Sequence, residues 1–144
     1  YAVSPPFSEL ACLNEKAPLP GERRAWQEAF GHAVAAVGGL TAVDGAVVLN
    51  NRYELLGFGA KIARRQDWPR VEQVILTEPI EGAMPALVYL EQIGGTRHLS
   101  AAQFVHDQRD AVALVASQDG RFTLFEWSPS EPMVHAHRIE SLLI

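Results

Sequence analysis

The chain has 144 residues, which is enough for one domain with a substantial core. Its composition, 48% hydrophobic and 20% charged, is typical of an ordinary soluble globular protein. The net charge of −5 argues against a protein that binds a nucleic-acid polymer through a basic face, and the single cysteine, Cys12, excludes a disulfide framework and a multi-thiolate zinc site.

The first half of the chain predicts an irregular segment, one helix and one hairpin. Residues 1–21 are rich in proline and predict the irregular segment. From Glu22 onward apolar residues recur at helical spacing, and Gly38-Gly39 predicts the end of that helix. The stretch DGAVVLNNRYELLGFGA then predicts a β-hairpin with strands near 44–49 and 53–59, joined at Asn50-Asn51 by a tight turn with positive φ.

The second half predicts alternating strands and helices: a strand at 70–78, a helix at 84–93 closed by Gly94, a shorter helix at 100–107, and a strand at 111–117 that is buried on both faces. Asp119-Gly120 predicts a turn into a further strand at 121–127. The tail at 128–144 contains two prolines and then predicts a terminal turn or helix at 138–144.

These elements predict a single α/β domain over residues 1–144 with a mixed sheet flanked by helices. We expect four aromatic residues in the core: Trp26, Phe30, Phe122 and Phe125. No apolar run reaches membrane-spanning length and no signal-peptide pattern opens the chain, so we expect a cytoplasmic protein with no membrane partner. The first residue is Tyr1 rather than methionine, which suggests a domain taken from a longer protein.

The stretch GGTRHLS, residues 94–100, has the components of an anion site. Glycines allow close approach of the backbone, Thr96 adds a hydroxyl, and Arg97 adds a planar fork suited to phosphate oxygens. A helix that begins near Ser100 would direct its positive dipole end to the same place. The alternative is an ordinary helix start, with a glycine that ends one helix and Ser100 as the N-cap of the next.

The stretch VDGAV, residues 43–47, is a second candidate. An aspartate followed by glycine at the head of a strand leaves a carboxylate that could bind Mg²⁺ or accept a proton from a hydroxyl. The alternative for Asp44 is a plain Asp-Gly turn. Two weaker candidates are the His135-x-His137 pair, a metal site or a solvated tail, and the cations Lys61, Arg64 and Arg65, the border of a phosphate pocket or a solvated face.

Taken together, DGA at 44–46 and GTRH at 95–98 resemble the signature pair of the diadenylate cyclase (DAC) domain family. The LLGFGA strand between them and the AVALVASQDGRFTLF hairpin after them are also similar to that family. The resemblance covers residues 38–127. It implies a mixed sheet wrapped by helices, with ATP between the two motifs.

The resemblance also implies roles for residues of this chain. Asp44 would bind Mg²⁺ or Mn²⁺ and activate the ribose 3′-hydroxyl. The residues implied to contact nucleotide are Gly45 and Ala46 along its length, Gly95, Thr96, Arg97 and His98 around the triphosphate, and Ser117 near the terminal phosphates. Two ATP-loaded domains would meet face to face as a homo-oligomer, and cyclic di-AMP would form with release of two pyrophosphates.

This chain departs from the family motif Arg-His-Arg, because Leu99 replaces the second arginine and Gln118 replaces an acidic residue. A lost charge-assisted hydrogen bond, about 1.5–3 kcal/mol, would cost roughly ten- to a hundredfold in rate. The chain is closer to a divergent DAC-like branch regarded as nucleotide sensors that signal to a fused or partner effector. We therefore expect a sensor that binds an adenine nucleotide or dinucleotide; the alternatives are an active diadenylate cyclase and an interaction domain without a ligand.

Overall fold

The computed structural model describes residues 12, 13, 15, 18–40, 42–52, 54–117 and 120–139. Its contacts divide the chain into two compact units, Tyr1–Lys61 and Ile62–Ile144. The single-domain organisation of residues 1–144 therefore stays a prediction. Most of the segment predicted to be irregular, 1–21, lies outside the described residues.

The first unit contains the predicted helix, α1, which spans Arg23–Leu40. The helix continues through Gly38-Gly39 to Leu40, so the predicted stop is slightly early. Trp26 and Phe30, four residues apart, stack with ring centroids 4.9 Å apart, and the Trp26 indole donates to the carbonyl of Leu13 at 3.0 Å. Both aromatic rings are half-buried rather than central to a core.

The predicted hairpin of the first unit is confirmed. Strand β1 (Ala46–Leu49) pairs antiparallel with β2 (Leu55–Ala60). The turn differs from the prediction, because neither Asn50 nor Asn51 has positive φ. Instead the Asn50 side chain accepts the N–H groups of Arg52 and Glu54, both at 2.9 Å. A side-chain acceptor of this kind holds a wider turn without left-handed backbone.

The second unit is built on one five-stranded sheet with the order β4-β3-β7-β6-β5. Its strands are β3 (Gln73–Thr77), β4 (Ala86–Tyr89), β5 (Val112–Ala116), β6 (Phe122–Ser128) and β7 (Met133–Ile139). Strands β3 and β7 run parallel, and the other neighbouring pairs are antiparallel. The prediction of an α/β fold with a mixed sheet is confirmed.

One helix, α2 (Thr96–Asp107), packs on one face of this sheet against β5, β6 and β7. The core lies between them, and its fully buried side chains are Val74, Leu90, Ala102, Val105, Phe125, Val134 and Ala136. The prediction of a core position is right for Phe125, which is 0% exposed, while Phe122 is half-buried.

The helix predicted at 84–93 is wrong. Residues Ala86–Tyr89 form β4, which pairs with β3, and Leu90–Gln92 form a single 3₁₀ turn. The apolar spacing fits a helix, and Pro85 is tolerated both in the first turn of a helix and at the start of an edge strand, so it does not distinguish the two. Pairing with β3 then decides the conformation, and a local pattern does not show a partner strand.

Two further predictions are wrong in the second unit. The terminal turn or helix predicted at 138–144 in the tail is wrong at its start, because Met133–Ile139 form β7 at the centre of the sheet; residues 140–144 lie outside the described residues. Strand β5 is not buried on both faces either: it is an edge strand, with Val112 57% and Leu114 61% exposed. A strand at the edge has a neighbour on one side and helix cover on one face, so half of its side chains remain in solvent.

The turn between β5 and β6 is close to the prediction. Gly120 has φ of 80°, and its N–H donates to the carbonyl of Ser117 at 3.1 Å. Asp119, the other predicted turn residue, lies outside the described residues. Among the described residues, no helix combines the length and the apolar character that crossing a membrane requires.

Candidate functional site

Asp44 lies immediately before β1 in the first unit, and its side chain is 89% exposed. The ammonium of Lys61, at the end of β2, donates to Asp44 Oδ2 at 2.5 Å. The hairpin therefore brings together two residues, Asp44 and Lys61, that belong to separate candidate sites in the sequence. An exposed pair of this kind contributes little to stability, and a cation of higher charge near Asp44 would compete with the ammonium.

Gly45 is required by the packing of the hairpin. Its φ is 129°, and a Cβ atom at this position would lie 2.4 Å from the carbonyl carbon of Gly59. Gly59 itself has φ of 62°. The two backbones approach where the register of β1 and β2 shifts, between the pairs Ala46–Ala60 and Val48–Gly57. This contact explains the glycine of the DGA motif without a ligand.

The GGTRH motif lies at the start of α2, four residues earlier than the predicted helix start at Ser100. Gly95 is the N-cap and offers no side chain to the first turn. Its carbonyl accepts the N–H groups of His98 and Leu99 at 3.0 and 3.2 Å. The N–H groups of Thr96 and Arg97 point out of the helix start and have no partner among the described residues.

The packing of the His98 ring requires a glycine at position 94. A Cβ atom on Gly94 would lie 2.3 Å from Nδ1 of His98, so a side chain there would collide with the imidazole. The imidazole is buried, with His98 6% exposed, and contacts the ring of Phe125 edge-on with centroids 6.1 Å apart. His98 thus anchors the start of α2 to the sheet. Its predicted contact with phosphate stays a prediction.

Gly95 and Arg97 differ from this pair, because the fold does not require them. Gly95 has φ of −84° and open space where a Cβ would stand. Arg97 is exposed and forms no ion pair or hydrogen bond with any residue that the structure describes. A cation in the first turn also opposes the positive end of the helix dipole. Neither residue is explained by the stability of the fold.

Leu99 packs against the core cluster under α2. An arginine here would bring a guanidinium against apolar side chains, which is costly without a partner. Two further predicted contacts lie elsewhere: Ala46 is half-buried at the start of β1, and Ser117 is half-buried in the β5–β6 turn, where its N–H donates to the carbonyl of Arg121 at 2.8 Å. Asp44, Gly45 and Ala46 belong to the first unit, and the remaining predicted site residues belong to the second.

The histidine pair lies on the central strand β7, not in a solvated tail. His135 and His137 are on the same face with ring centroids 6.0 Å apart. Each Nε2 approaches a different carboxylate at 3.2 Å, that of Glu131 for His135 and that of Glu126 for His137. Among the described residues there is no group of three or more histidine, cysteine or carboxylate side chains that could hold a metal ion.

A polar network that was not predicted from the sequence lies at the other end of α2. Asp107, with a side chain 8% exposed, accepts the backbone N–H of Arg65 at 2.8 Å and the side chains of Gln103 and His106 at 2.8 and 2.9 Å. The Gln103 amide also bonds Pro69 and Val71. Gln103 and Asp107, four residues apart on one helix face beside His106, are the sequence signal of this network.

This network changes the pKa of Asp107. Burial raises the pKa of Asp107, but the hydrogen bonds from Arg65, His106 and Gln103 together outweigh burial and hold that pKa below its ordinary value. Asp107 bonds Arg65 and Gln103 bonds Pro69 and Val71, and these three residues precede β3, so the network attaches that loop to α2. Asp107 is therefore a structural carboxylate, unlike the exposed Asp44.

Comparison of the chain with family models, with curated proteins and with solved structures found no match.

Proposed function

We propose that this chain binds an adenine nucleotide or dinucleotide as a sensor, with phosphate held at the start of α2. The observation that carries the proposal is the pair Gly95 and Arg97: an uncapped helix start beside an exposed arginine that has no partner among the described residues. Outward N–H groups, the positive end of a helix dipole and a guanidinium all favour an anion. The adenine part of the proposal comes from the resemblance of DGA and GTRH to the DAC domain family.

The free energy of folding supports a role in binding for Arg97. A cation in the first turn of a helix costs about 0.3–1 kcal/mol, and a serine or aspartate at the N-cap would be more favourable than Gly95 by a few tenths of a kcal/mol or more. Both residues therefore leave α2 less stable than simple alternatives would. A phosphate bound there would reverse the sign of the charge interaction and pair the open N–H groups.

We favour a sensor over an efficient cyclase because of Leu99. The residue at the position of the second motif arginine packs in the core and offers no cation to a triphosphate. Binding through the remaining residues does not require that cation. Signalling to a fused or partner effector, and a face-to-face arrangement of two domains, are the parts of the proposal that come from the resemblance alone.

The metal in this proposal is Mg²⁺ or Mn²⁺, which would neutralise phosphate charge. Asp44 is the residue to which the resemblance gives this ion. A carboxylate with a few other oxygen ligands from phosphate and water is a donor set that Mg²⁺ accepts, and Asp44 is exposed enough to supply one. The present partner of Asp44, the Lys61 ammonium, would have to move aside.

Calorimetric titration with ATP and with cyclic di-AMP, each with Mg²⁺, tests the proposal. We expect binding by the native chain and a loss of roughly ten- to a hundredfold in Arg97→Ala, the scale of one charged hydrogen-bond partner. The matched control is Arg23→Ala, because Arg23 is also an exposed arginine in the first turn of a helix. A third variant, Gly95→Asp, should raise the melting temperature through capping and weaken binding through repulsion.

The opposite signs of these effects make the experiment decisive. Weaker binding by a variant that is as stable as the native chain, or more stable, identifies an anion site. Unchanged affinity in Arg97→Ala, or no binding by the native chain, would mean that this motif is only an ordinary helix start. Either result would favour an interaction domain. A parallel incubation with ATP and Mn²⁺, followed by mass spectrometry, distinguishes the cyclase: abundant cyclic di-AMP would overturn the sensor.

A further inference from the structure

The five-stranded sheet has two edges, and they are protected to different degrees. An edge strand presents main-chain N–H and C=O groups that can pair with another strand, and proteins commonly block such edges with proline, charge or a covering segment. Strand β4 forms one edge and β5 the other. The two can be compared because each carries an exposed leucine, Leu87 at 58% and Leu114 at 61%.

The β4 edge is blocked. The N–H of Leu90 donates to the carbonyl of Glu72 at 2.8 Å, so alternation along the strand directs the main-chain groups of Leu87 and Tyr89 outward. The outward N–H of Tyr89 is already bonded to the Gln92 side chain at 3.3 Å. Pro85 immediately precedes the strand and cannot donate. A second strand would find few free donors here.

The β5 edge is open. The N–H of Ser117 donates to Arg121, which directs Ala113 and Val115 toward β6 and turns the main-chain groups of Val112, Leu114 and Ala116 outward. Among the described residues of the second unit, none bonds these three outward residues apart from β6. Strand β5 contains no proline and no charged residue. The edge is therefore short, and no proline or charged residue of β5 protects it.

We infer that β5 is a pairing edge for a second copy of this chain, with the two β5 strands antiparallel about a two-fold axis at Leu114. In this register Leu114 lies opposite Leu114 of the second copy, and Val112 lies opposite Ala116. All three residue pairs use the outward main-chain groups. In each pair, the N–H of either residue donates to the C=O of the residue opposite. The two sheets become one continuous sheet with an isologous interface.

The side chains and charge favour a second copy over another occupant. Val112 and Leu114 are exposed on the face away from α2. Across the axis Leu114 meets Leu114 of the second copy and Val112 meets its Ala116, so these side chains form one apolar cluster. Both sides of the contact are uncharged, which matters because the chain carries a net charge of −5 and two copies repel elsewhere. A charged peptide strand would leave its charges against Leu114.

The expected dimer is weak. A contact between two five-residue strands covers less than the roughly 1,200–2,000 Å² of a standard stable complex, so we expect a dissociation constant in the micromolar range. This inference is independent of the nucleotide proposal, because no residue of GGTRH lies in β5.

Sedimentation velocity over a concentration series, from about 1 µM to about 1 mM, tests the inference on the full chain. We expect Leu114→Lys to raise the dissociation constant at least tenfold, because two lysines would lie directly opposite each other. The matched control is Leu87→Lys on the blocked edge, which should dimerise like the native chain. Leu114→Pro removes an N–H that the monomer does not use and should also prevent pairing.

Circular dichroism spectra first establish that the variants fold. Each outcome of the sedimentation experiment then supports or overturns the dimer. Dimers in the native chain and in Leu87→Lys, with monomers in both Leu114 variants, support the inference. A native chain that stays monomeric throughout the series overturns the inference. A different protein would then be the remaining candidate to pair with β5. A dimer that survives Leu114→Lys, or that is lost equally in Leu87→Lys, also overturns it.

Discussion

The two motifs that resemble DAC signatures use their residues in different ways. In the DGA motif, Gly45 is required by its contact with Gly59, and Asp44 is paired with Lys61. In the GGTRH motif, Gly94 is required by the packing of His98, but Gly95 and Arg97 have no such role in the fold. Folding therefore explains some residues of a motif and not others. The residues that folding does not explain are the better evidence for a ligand site.

This difference determines how strongly each motif indicates a ligand site. The DGA stretch would be retained by a hairpin with no ligand, because its glycine prevents a backbone clash and its aspartate forms a local ion pair. The uncapped helix start with Arg97 would not be favoured by stability alone. The variants considered next separate residues that the fold needs from residues that it does not.

The largest expected effect is that of Gly45→Ala. The new Cβ would collide with the backbone of Gly59 and would stand at a φ that alanine rarely adopts, so we expect a loss of about 3 kcal/mol or more in the stability of the hairpin. Chemical denaturation followed by circular dichroism measures it. The control is Gly57→Ala on β2, where a Cβ meets open space. Equal losses in the two variants would contradict the close contact.

A smaller loss is expected for Gly94→Ala in the second motif. The His98 ring would have to leave its place against Phe125, and a displacement of this kind in a packed core costs about 1–3 kcal/mol. Gly95→Ala, next along the chain, should change the unfolding free energy by less than about 0.5 kcal/mol because nothing lies within reach of its Cβ. If both variants unfolded alike, the division between required and free glycines would be wrong.

The pH dependence of stability extends the comparison to carboxylates. The pKa of Asp107 is lowered in the fold, so its contribution is complete above the unfolded value of about 3.9 and is lost as pH falls through the lower folded value. We expect Asp107→Asn to cost about 1–3 kcal/mol at neutral pH and to flatten the decline of unfolding free energy below about pH 4. An unchanged acid profile would show that the network does not hold this carboxylate.

The smallest expected effect is that of Asp44→Asn on stability. Its partner Lys61 and its own side chain are both largely exposed, so the change in unfolding free energy should stay within about 0.5 kcal/mol. The same variant should weaken ATP binding in Mg²⁺ but not in its absence if Asp44 contacts the metal. A large loss of stability would mean that the aspartate supports the hairpin rather than a ligand.

Much of the fold could be predicted from local patterns. Helix α1, the β1–β2 hairpin, β3 and the β5–β6 hairpin all follow from periodicity and turn residues close in sequence. The failures concern two strands whose conformation depends on pairing in the sheet: β4 has helical apolar spacing, and β7 follows two prolines, Pro129 and Pro132, that suggested a tail. Pairing with β3 and β6 decides both, and a linear pattern contains no direct sign of that pairing.

For the candidate site, the position of GGTRH near a helix start could be predicted, but its geometry could not, and the roles of its residues stay predictions. GGTRH does lie at a helix start, but α2 begins at Thr96, so Arg97 is in the first turn and Leu99 faces the core. The burial of His98 against Phe125 joins residues from a helix and a strand far apart in sequence. Such packing depends on the assembled sheet and could not be inferred from spacing alone.

The central position of β7 also affects how the protein is made. Strands β3 to β6 all leave the ribosome before Met133–Ile139, and until then they form two separate hairpins with β3 and β6 unpaired on their inner sides. Exposed inner edges of this kind invite pairing between nascent chains. The interval of greatest risk of aggregation during synthesis therefore closes when the last strand inserts between the two hairpins.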